Sequence, residues 1–531
     1  HTRIRYQCSP FHVNSALQPV ISQLEHAADL TSEDEGSVRL AKLEALIAPT
    51  TTKMEELVPL LASLLRIPLG SRYFMPNVTS DVLKRRTLEA LAGQLVALAQ
   101  TKPVFWLVED AHWIDPTTRE LVGLCLDRFR DLPVFALITF RPEFVHSWGH
   151  LPHVTGLALN RLARRQCSEL IDSLCAGKSL PAEVLGQIIA KTDGIPLFIE
   201  ELTKTVLESG LLIENDGRYA LKGTLAPMAI PATLQDSLIE RLERLSPVKE
   251  VAQIGSAIGR EFSYDLLAGV TELRENELKE ALGQLANAEL VYVRGEPPDA
   301  TYVFKHALVQ DAAYASLLRA RRQQIHSRIA QVLPKKFPDL IARQPETLAH
   351  HCEAAGLEAA AKEYWSRAGR LALMNATYAE ATNHFAKALA LVAKEAASEA
   401  KIREESGLLL DRGIAMLALK GPPSAEHAQI AADALTASAP LGDDALHFRA
   451  RWADWIVHSV GGKLPEAAER ADALVGIANR IGADDLRLQA HHARWTTAFA
   501  RGHVTIAKDA VENGLALYDL GRHREHWSMY G

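Results

Sequence analysis

The C-terminal part of the sequence contains four related stretches that begin at residues 375, 421, 461 and 501, so their starts lie 46, 40 and 40 residues apart. They read NATYAEATNHFAKALAL, GPPSAEHAQIAADALTA, GGKLPEAAERADALVGIA and RGHVTIAKDAVENGLAL. Each carries small alanine residues at positions suited to close packing, and each follows another helical pattern. A repeated helical unit of this size cannot bury its apolar face alone, so successive units must stack. The repeat therefore predicts an α-solenoid over residues 346–531.

The repeat is of tetratricopeptide type. Tyr378, Ala381, Phe385 and Ala388 in the first unit fit that pattern best, although the spacing is longer than the ideal of about 34 residues. We expect the solenoid to bind a protein partner. The alanine-rich hairpins do not require a ligand groove, because packing between repeats also explains them.

The first 159 residues alternate strand and helix patterns, which predicts an α/β core. VFWLV and VFALITF are continuous apolar runs, the pattern of strands covered on both faces in a parallel sheet. Another strand is predicted at IRYQCSP, and the helix after it, NSALQPVISQLEHAA, is expected to be capped by Asn14 or Ser15. Two more helices are predicted at VLKRRTLEALAGQLVALAQ and TTRELVGLCLDRF.

Two parts separate this core from the solenoid. Residues 160–225 contain three short helical patterns divided by Gly and Pro signals: RRQCSELIDSLC, PAEVLGQIIAKTDG and PLFIEELTKTVLESG. Residues 226–345 contain ENELKEALGQLANAEL, with Leu278, Leu282 and Leu285 on one face, followed by the strand patterns LVYVRG and TYVFKH. Helices followed by a two-stranded hairpin predict a winged-helix-like domain.

The composition excludes several classes of protein. The 531 residues suffice for three or four domains of typical size. A net charge of -7 argues against a general attraction to nucleic acid or to an anionic membrane, and no apolar run is long enough to span a bilayer. The five cysteines are scattered, without a CxxC pair, which indicates free thiols in a reducing compartment. We therefore expect a cytoplasmic protein.

Two carboxylates, Glu109 and Asp110, directly follow the buried run VFWLV. The carboxyl end of a strand is the usual ligand position on an open α/β sheet. One carboxylate there can hold Mg²⁺ through a bound water, and a second can orient the attacking water. The alternative is a strand end followed by an ordinary helix start, because Asp115 and Pro116 form a good N-cap and N1 pair.

Two neighbouring features strengthen a nucleotide interpretation. Arg141 follows the second apolar strand, where a cation could sense a γ-phosphate. Gly194 and Pro196 lie in TDGIPLFIEEL at the start of a helix, where a rigid proline could pack against a flat base. Taken alone, a surface arginine and an ordinary Gly-Pro helix start explain these residues equally well or better.

LVEDAHWIDP, ITFRPEF and DGIPLFIEEL, in this order and at these spacings, resemble the signalling ATPases with numerous domains, a branch of the AAA-like P-loop proteins. IRYQCSPFHVNSALQPVISQLE and YVFKHALVQDAAYASLLRARRQQIH resemble the ATPase–tetratricopeptide region found downstream of bacterial class III adenylate/guanylate cyclase domains. The resemblance covers essentially the whole chain. It implies a truncated ATPase core over residues 1–159, a helical lid over 160–225, a winged-helix-like domain over 226–345 and tetratricopeptide-like repeats over 346–531.

The resemblance also implies roles for single residues, with ATP or ADP and Mg²⁺ as cofactors. Glu109 matches the metal-proximal acid and Asp110 the second acid. Many relatives have Asp at the first position, so Glu109 departs from the pattern and the division of roles stays open. Arg141 matches the sensor arginine, the Gly194–Pro196 motif contacts adenine through its proline, and His306 matches a winged-helix histidine that reaches the β-phosphate. A histidine that ends a hairpin strand is also commonly structural.

A phosphate loop, G-x-x-x-x-G-K-[ST], is needed to complete such a site. DSLCAGKSL contains Gly177, Lys178 and Ser179, but Asp172 stands where the first glycine is required and no strand precedes it. This stretch is therefore predicted to be a turn between two lid helices. In the family the loop would precede IRYQCSP, so we expect the chain to be a piece of a longer protein. For the chain by itself we expect weak or undetectable ATP binding and no hydrolysis, since the strongest phosphate contacts are missing.

Three functions remain open. The first is a slow, regulatory ATPase module that controls a linked effector such as a nucleotide cyclase. The second is an ATP-dependent transcription regulator whose helix-turn-helix lies outside this chain. The third is a partner-binding scaffold with a degenerate nucleotide site. The basic helix LLRARRQQIHSR is predicted to be a solvated face rather than a reader of nucleic acid, and the adjacent His350, His351 and Cys352 do not converge on one metal.

Overall fold

A computed structural model describes residues 1–531 except 32–33, 216–217, 223–232, 246–247, 422–423, 520–522 and 524–531. The chain divides into two compact units. The first consists of His1–His153, Asp339–Glu353 and Leu357–Gly531, and the second of Val154–Pro338 and Ala354–Gly356. The predicted boundary between residues 225 and 226 and the C-terminal pattern HWSMYG lie outside the described residues. The four-domain division remains a prediction.

The first unit begins with a three-stranded parallel sheet in the order β1-β2-β3. The strands are β1 (Thr2–Gln7), β2 (Val104–Glu109) and β3 (Val134–Ile138). Parallel neighbours need crossover connections, and helices provide them here: α1 (Gln18–Ala27), α2 (Gly36–Ile47), α3 (Met54–Leu64), α4 (Ser80–Thr101) and α5 (Pro116–Arg128). Trp106 of β2 is fully buried and meets the rings of Tyr6 and Phe129 edge-on. The three predicted strands and the predicted parallel sheet are confirmed.

The prediction that both apolar strands are covered on both faces is wrong for β3. In β2, Val104, Trp106 and Val108 are buried. In β3, Phe135 is 67% exposed and Leu137 is 42% exposed. Within the described residues, β3 pairs with β2 alone and forms an edge of the sheet. A continuous apolar run shows that a strand can be covered on both faces, but it does not show that the covering element is present.

The start of α1 also differs from the prediction. Neither Asn14 nor Ser15 caps this helix, which begins after Leu17, a residue with a φ of 59°. The backbone N–H of Leu17 donates to Oδ1 of Asp115 over 3.1 Å. The same carboxylate caps α5 by accepting from the N–H of Thr118 at 2.8 Å, as the Asp-Pro pattern predicts. One distant carboxylate therefore places two helix starts, which local capping rules cannot anticipate.

The second unit opens with the three predicted helices, α6 (Arg164–Leu174), α7 (Ala182–Thr192) and α8 (Pro196–Glu208), and their predicted positions are confirmed. Their shared apolar core is built from Ile171, Ile188, Ile199 and Leu202. The predicted turn at Gly177 lies between α6 and α7, with a φ of 78°. A short antiparallel hairpin, β4 (Leu212–Asn215) and β5 (Arg218–Leu221), follows and was not predicted.

The rest of the second unit combines helices with a second small sheet. The helices are α9 (Leu234–Arg244), α10 (Val248–Ile258), α11 (Tyr264–Val270), α12 (Glu275–Asn287), α13 (Ala307–Ala315) and α14 (Arg319–Lys336). The strands β6 (Glu261–Ser263), β7 (Val291–Arg294) and β8 (Thr301–Phe304) pair antiparallel in the order β6-β8-β7. The apolar face of α12 is buried and the β7–β8 hairpin is present, as predicted. The three-residue β6 gave no sequence signal. The winged-helix assignment stays a prediction.

The described residues from Pro338 to Leu517 are mainly helical. They form α15 (Pro338–Arg343), α16 (Pro345–Ala355), α17 (Glu358–Met374), α18 (Tyr378–Val392), α19 (Glu399–Lys420), α20 (Ala425–Ser438), α21 (Asp444–Val460), α22 (Leu464–Ile481), α23 (Asp484–Ala500) and α24 (Val504–Leu517). The four related stretches are α18, α20, α22 and α24, and each follows another helix, as predicted. A side chain at Gly369 of α17 would run into the ring of Phe385 of α18, so small residues set the close spacing of this pair. Among the described residues, no helix has the length and apolar character needed to cross a membrane.

Candidate nucleotide site

The carboxyl ends of β2 and β3 lie side by side and are tied together by the backbone. Asp110 follows β2 and donates its N–H to Oγ1 of Thr139, which follows β3, over 3.1 Å. The N–H of Thr139 donates to the carbonyl of Val108 at 2.9 Å, and the N–H of Ala111 donates to the carbonyl of Thr139 at 2.8 Å. These bonds hold the acidic strand end and the start of the arginine-bearing loop at one edge of the sheet, where ligands bind in open α/β folds.

Glu109 is paired with a cation that was not predicted to take part. Nε of Arg5, in β1, donates to Oε2 of Glu109 over 2.5 Å, and both side chains are about one-third exposed. A carboxylate in such a charge-assisted bond must share or release the guanidinium before it can hold a metal-bound water. Alternation along the strand RIRYQ, which places Arg5 on the face opposite Tyr6, is the only sequence signal for this contact.

Asp110 adopts a left-handed backbone conformation, with a φ of 55°. For a residue other than glycine this costs on the order of 1 kcal/mol or more, and such strain concentrates at functional sites. The bond to Thr139 holds this conformation. Asp110 and Thr139 follow different strands, so the role of Thr139 in fixing Asp110 is a structural finding.

Arg141 lies against the loop that follows Asp110. Its guanidinium carbon is 5.2 Å from the centre of the Trp113 ring, the geometry of a cation–π contact. Burial lowers the pKa of the neighbouring His112, and the charge of Arg141 lowers it further. The structure therefore brings Glu109, Asp110 and Arg141 to the same sheet edge and adds Trp113, which the sequence motif contained without an assigned role.

Gly194 and Pro196 lie in the second unit, where the glycine has a clear structural purpose. Gly194 has a φ of +72°, and a Cβ there would collide with the carbonyl oxygen of Leu162. Its own carbonyl accepts a hydrogen bond from the N–H of Leu162 at 2.8 Å. Pro196 is the first residue of α8 and is exposed. The ordinary Gly-Pro helix start thus explains the glycine, and the exposed proline ring remains available to a ligand.

His306 also belongs to the second unit, at the start of α13. Its Nε2 is buried and has no hydrogen-bond partner among the described residues. Burial lowers the pKa of this imidazole, and Lys305 lowers it further. A buried imidazole nitrogen without a partner among the described residues is suited to a hydrogen bond with a ligand.

A charge network ties α8 to the segment around His306. Lys305 contacts Glu200 at 3.3 Å and Glu289 at 3.2 Å, and Lys204 contacts the same two carboxylates at 3.0 and 2.8 Å. Hydrogen bonds from Lys204 and Lys305 lower the pKa of Glu289 to about 2. The helix that begins at Pro196 and the segment that contains His306 are therefore held together within one unit.

No group of three or more His, Cys, Asp or Glu side chains converges on a metal position in the part of the chain that is described. Two adjacent carboxylates suit Mg²⁺ only where phosphate oxygens and waters complete its octahedral shell. The strand-end acids fit that requirement as a partial ligand set. The magnesium assignment and the roles of all six predicted site residues therefore stay predictions.

Comparison with known proteins gives limited information. No protein-family model matches the chain. An uncharacterized protein of Rhizobium meliloti (strain 1021) is 26% identical over 533 residues, which cover 99% of this chain and 50% of the relative. The chain thus spans about half the length of the curated relative it matches.

One solved structure is similar over most of its length. It is a signal transduction ATPase with numerous domains that has a tetratricopeptide repeat sensor, from Pyrococcus horikoshii. Its sequence identity to this chain is 13%, the match covers 97% of this chain and 90% of that one, and the TM-score is 0.33. A similarity of this size does not establish a common fold or function.

Proposed function

We propose that the chain is the ATP-binding regulatory part of a multidomain signal-transduction ATPase, and that a linked adenylate or guanylate cyclase is its output. The observation that carries the proposal is the edge of the parallel sheet. Glu109, Asp110, Thr139 and Arg141 lie together there, and this edge is the ligand position of open α/β folds. Paired acids and an arginine suit the metal and the γ-phosphate of ATP.

The exposed face and unpaired edge of β3 are a second observation that supports the proposal. Phe135 and Leu137 are exposed, and β3 has no partner on its outer side within the described residues. The unpaired edge of β3 can accept a further strand, and its exposed apolar face can accept a covering element. A strand that pairs with β3 and carries the phosphate loop would end beside Asp110 and Arg141, because parallel strands share a carboxyl edge.

In the proposed mechanism, Glu109 and Asp110 would hold Mg²⁺, which would supply positive charge to the phosphates of ATP. Asp110, fixed by Thr139, would orient the attacking water, and Arg141 would contact the γ-phosphate, which ADP lacks. The resemblance would assign the contact with adenine to Pro196 and the contact with the β-phosphate to His306. Reversing a strongly biased equilibrium between two conformations of the protein requires a ligand whose binding free energy differs between them by about 5.5 kcal/mol. In the proposal, loss of the γ-phosphate contacts provides a large part of this difference. The solenoid binds the protein partner that brings the signal.

A second candidate is a scaffold with a degenerate nucleotide site. The ion pair between Arg5 and Glu109 favours it, because the first acid is already neutralised. In that case the solenoid still binds a partner, but nucleotide does not control the effector.

The deciding experiment compares ATP binding to a longer chain, extended at its N-terminus by a strand and a phosphate loop, with ATP binding to the 531-residue chain. We expect micromolar, Mg²⁺-dependent binding to the longer chain and weak or no binding to the shorter one. Asp110→Asn should abolish hydrolysis in the longer chain while ATP still binds. If the longer chain has an intact phosphate loop and does not bind ATP, the scaffold is favoured. Tight ATP binding by the 531-residue chain would contradict the expectation that binding needs a phosphate loop outside this chain.

A further inference from the structure

The first turn of α5 is capped by two distant parts of the chain. Pro116, the first residue of the helix, has no N–H to satisfy, and the N–H of Thr118 donates to Asp115 at 2.8 Å. The N–H of Thr117 lies between them and is not served by either arrangement. The first N–H groups of a helix have no partner inside the helix, so this donor needs an acceptor from elsewhere.

Glu380, in α18, provides that acceptor. Its Oε1 accepts from the N–H of Thr117 at 3.0 Å and from the hydroxyl of the same residue at 2.7 Å. Thr117 is 2% exposed and Glu380 is 1% exposed, so water has almost no access to replace these bonds. A carboxylate also suits the positive end of the helix dipole. The solenoid therefore supplies a cap that the residues next to α5 do not.

The segment that precedes α5 is the acidic strand end of the candidate nucleotide site. Residues 110–115, which we call the strand-end loop, connect β2 to the helix. The N–H of Trp113 donates to the carbonyl of Asp110 at 2.9 Å. The N–H of Ile114 donates to the carbonyl of Ala111 at 3.2 Å, and both of these residues are buried. Because the loop is short and internally bonded, a movement of the first turn of α5 displaces Asp110 and Trp113 as well.

Two other hydrogen bonds join α18 to different elements of the α/β core. The hydroxyl of Tyr378 donates to Asp81, in α4, over 2.8 Å. The amide of Asn383 donates to the side chain of Asn14, which precedes α1, also over 2.8 Å. Both bonds are exposed, whereas those of Glu380 are buried. They offer a matched comparison, since either can be removed without changing the cap on α5.

A cavity of about 330 Å³ adjoins this cap. Thr117 and Glu380 both line it, together with residues of α1, α3, α4 and α17. Atoms that border a void lack packing contacts on that side. The two hydrogen bonds of Glu380, rather than close packing alone, therefore fix the spacing of α18 and α5 at this point.

We propose that Glu380 is a positioning residue for the strand-end loop. Through the cap on α5, the first helical pair of the solenoid, α17 and α18, holds Asp110 and Trp113 in place. A movement of α18 when the solenoid binds a protein partner therefore changes the acidic strand end. The consequence for nucleotide chemistry rests on the proposed function, whereas the link between α18 and the loop does not need nucleotide.

Fluorine NMR of the 531-residue chain, labelled with a fluorinated tryptophan, measures the position of the loop without nucleotide. The chain has 8 tryptophans, and the signal that disappears in Trp113→Phe belongs to Trp113. Its fluorine senses the charge of Arg141, whose guanidinium carbon lies 5.2 Å from the ring centre. Glu380→Leu removes the acceptor. We expect the Trp113 signal to shift by more than its linewidth, while the signal of Trp455, in α21, stays in place.

Two further variants show whether the cap causes the shift. Glu380→Gln keeps an oxygen acceptor for both donors of Thr117, so its Trp113 signal should lie at the original position. Tyr378→Phe removes a different hydrogen bond between α18 and the core, and it should leave the signal unchanged. A signal that stays in place in Glu380→Leu, that stays shifted in Glu380→Gln, or that moves equally in Tyr378→Phe overturns the proposal.

Thr117→Ala keeps the proposal testable if circular dichroism shows that Glu380→Leu does not fold. It removes the hydroxyl that donates to Glu380 over 2.7 Å and keeps the backbone N–H. A shift of the Trp113 signal is again expected, and an unchanged signal overturns the proposal.

ATP hydrolysis separates this proposal from the proposed function. In a longer chain that includes a phosphate loop, Glu380→Leu should lower hydrolysis at least about tenfold, because misplaced catalytic groups slow a reaction strongly. Tyr378→Phe should not lower it. If the longer chain does not bind ATP at all, the proposed function fails, while the Trp113 signal of the 531-residue chain still decides whether Glu380 positions the loop.

Discussion

Two acidic side chains in the first unit, Glu109 and Glu380, have opposite surroundings. At the sheet edge, Glu109 is partly exposed and is paired with Arg5 over 2.5 Å. Where α18 contacts the start of α5, Glu380 is 1% exposed, accepts two hydrogen bonds from Thr117 and forms no ion pair with any described residue. The charge of Glu109 is therefore in contact with solvent and a cation. Glu380 is buried beside uncharged donors, where an ionised carboxylate is costly.

The acidic residues with the clearer sequence signal are therefore not the most deeply buried ones. Glu109 and Asp110 are adjacent and follow an apolar run, so a local pattern reveals them. Glu380 and Thr117 are 263 positions apart, and only folding brings them together. Glu109 and Asp110 are therefore expected to affect ligand chemistry more than stability, and Glu380 the reverse.

The largest effect is expected from Glu380→Ala. It leaves the buried N–H and hydroxyl of Thr117 without an acceptor, and each unsatisfied donor costs about 1 to 3 kcal/mol, so a loss of about 3 kcal/mol is expected. Hydrogen–deuterium exchange at the start of α5 and the thermal unfolding midpoint measure it. Glu363→Ala, an exposed change on α17, should stay within about 0.5 kcal/mol. Equal effects of the two variants would remove the contrast between buried and exposed acids.

A pH-dependent effect of intermediate size is expected at Glu346, whose pKa is raised to about 7 by burial. The unfolded value is about 4.3. A raised pKa in the folded state means that protonated Glu346 stabilises the fold below about pH 4, and that this contribution is lost as the pH rises through about 7.

The variant Glu346→Gln has no carboxyl group at this position, so it does not lose this stability as the pH rises. Its melting temperature relative to the original chain should therefore rise between about pH 5 and about pH 8. Asp115, whose pKa burial also raises to about 7, and the buried His12 and His384 are present in both chains, so their titration largely cancels in the difference. A difference that does not vary with pH would contradict the raised pKa of Glu346 in the folded protein.

The smallest effect on stability is expected from Glu109→Gln. It releases Arg5 from a partly exposed ion pair, and such pairs contribute about 1 kcal/mol or less. Chemical denaturation of the two chains measures this. A loss as large as that of Glu380→Ala would show that the Arg5–Glu109 pair is structural, and it would strengthen the scaffold alternative over the ATP switch.

Much of the fold could be predicted from local patterns. The apolar run of β2, the helix that begins at Pro116 after its Asp115 cap, and the buried face of α12 follow from periodicity and capping rules that act within a few residues. The repeated helical hairpins followed from their spacing. The strand β6 was missed because three residues carry too little pattern, and the hairpin β4–β5 was also not predicted.

The candidate site was predicted only in part. The position of the strand-end acids followed from the apolar run before them. The contacts that decide their state, from Arg5 to Glu109 and from Asp110 to Thr139, connect different strands and leave no local trace. The exposure of Phe135 was predicted wrongly for the same reason, because the chain pattern does not say which neighbour covers a strand.

The sequence by itself determined the order of elements, the solenoid repeat and the place of two carboxylates at the end of a buried strand, since each depends on side chains close together in the chain. Only the tertiary structure decided which acids are paired, which are buried and where a cavity remains. Burial and pairing depend on partners tens to hundreds of residues away, and the electrostatic cost of a carboxylate is set by those partners rather than by its neighbours in sequence.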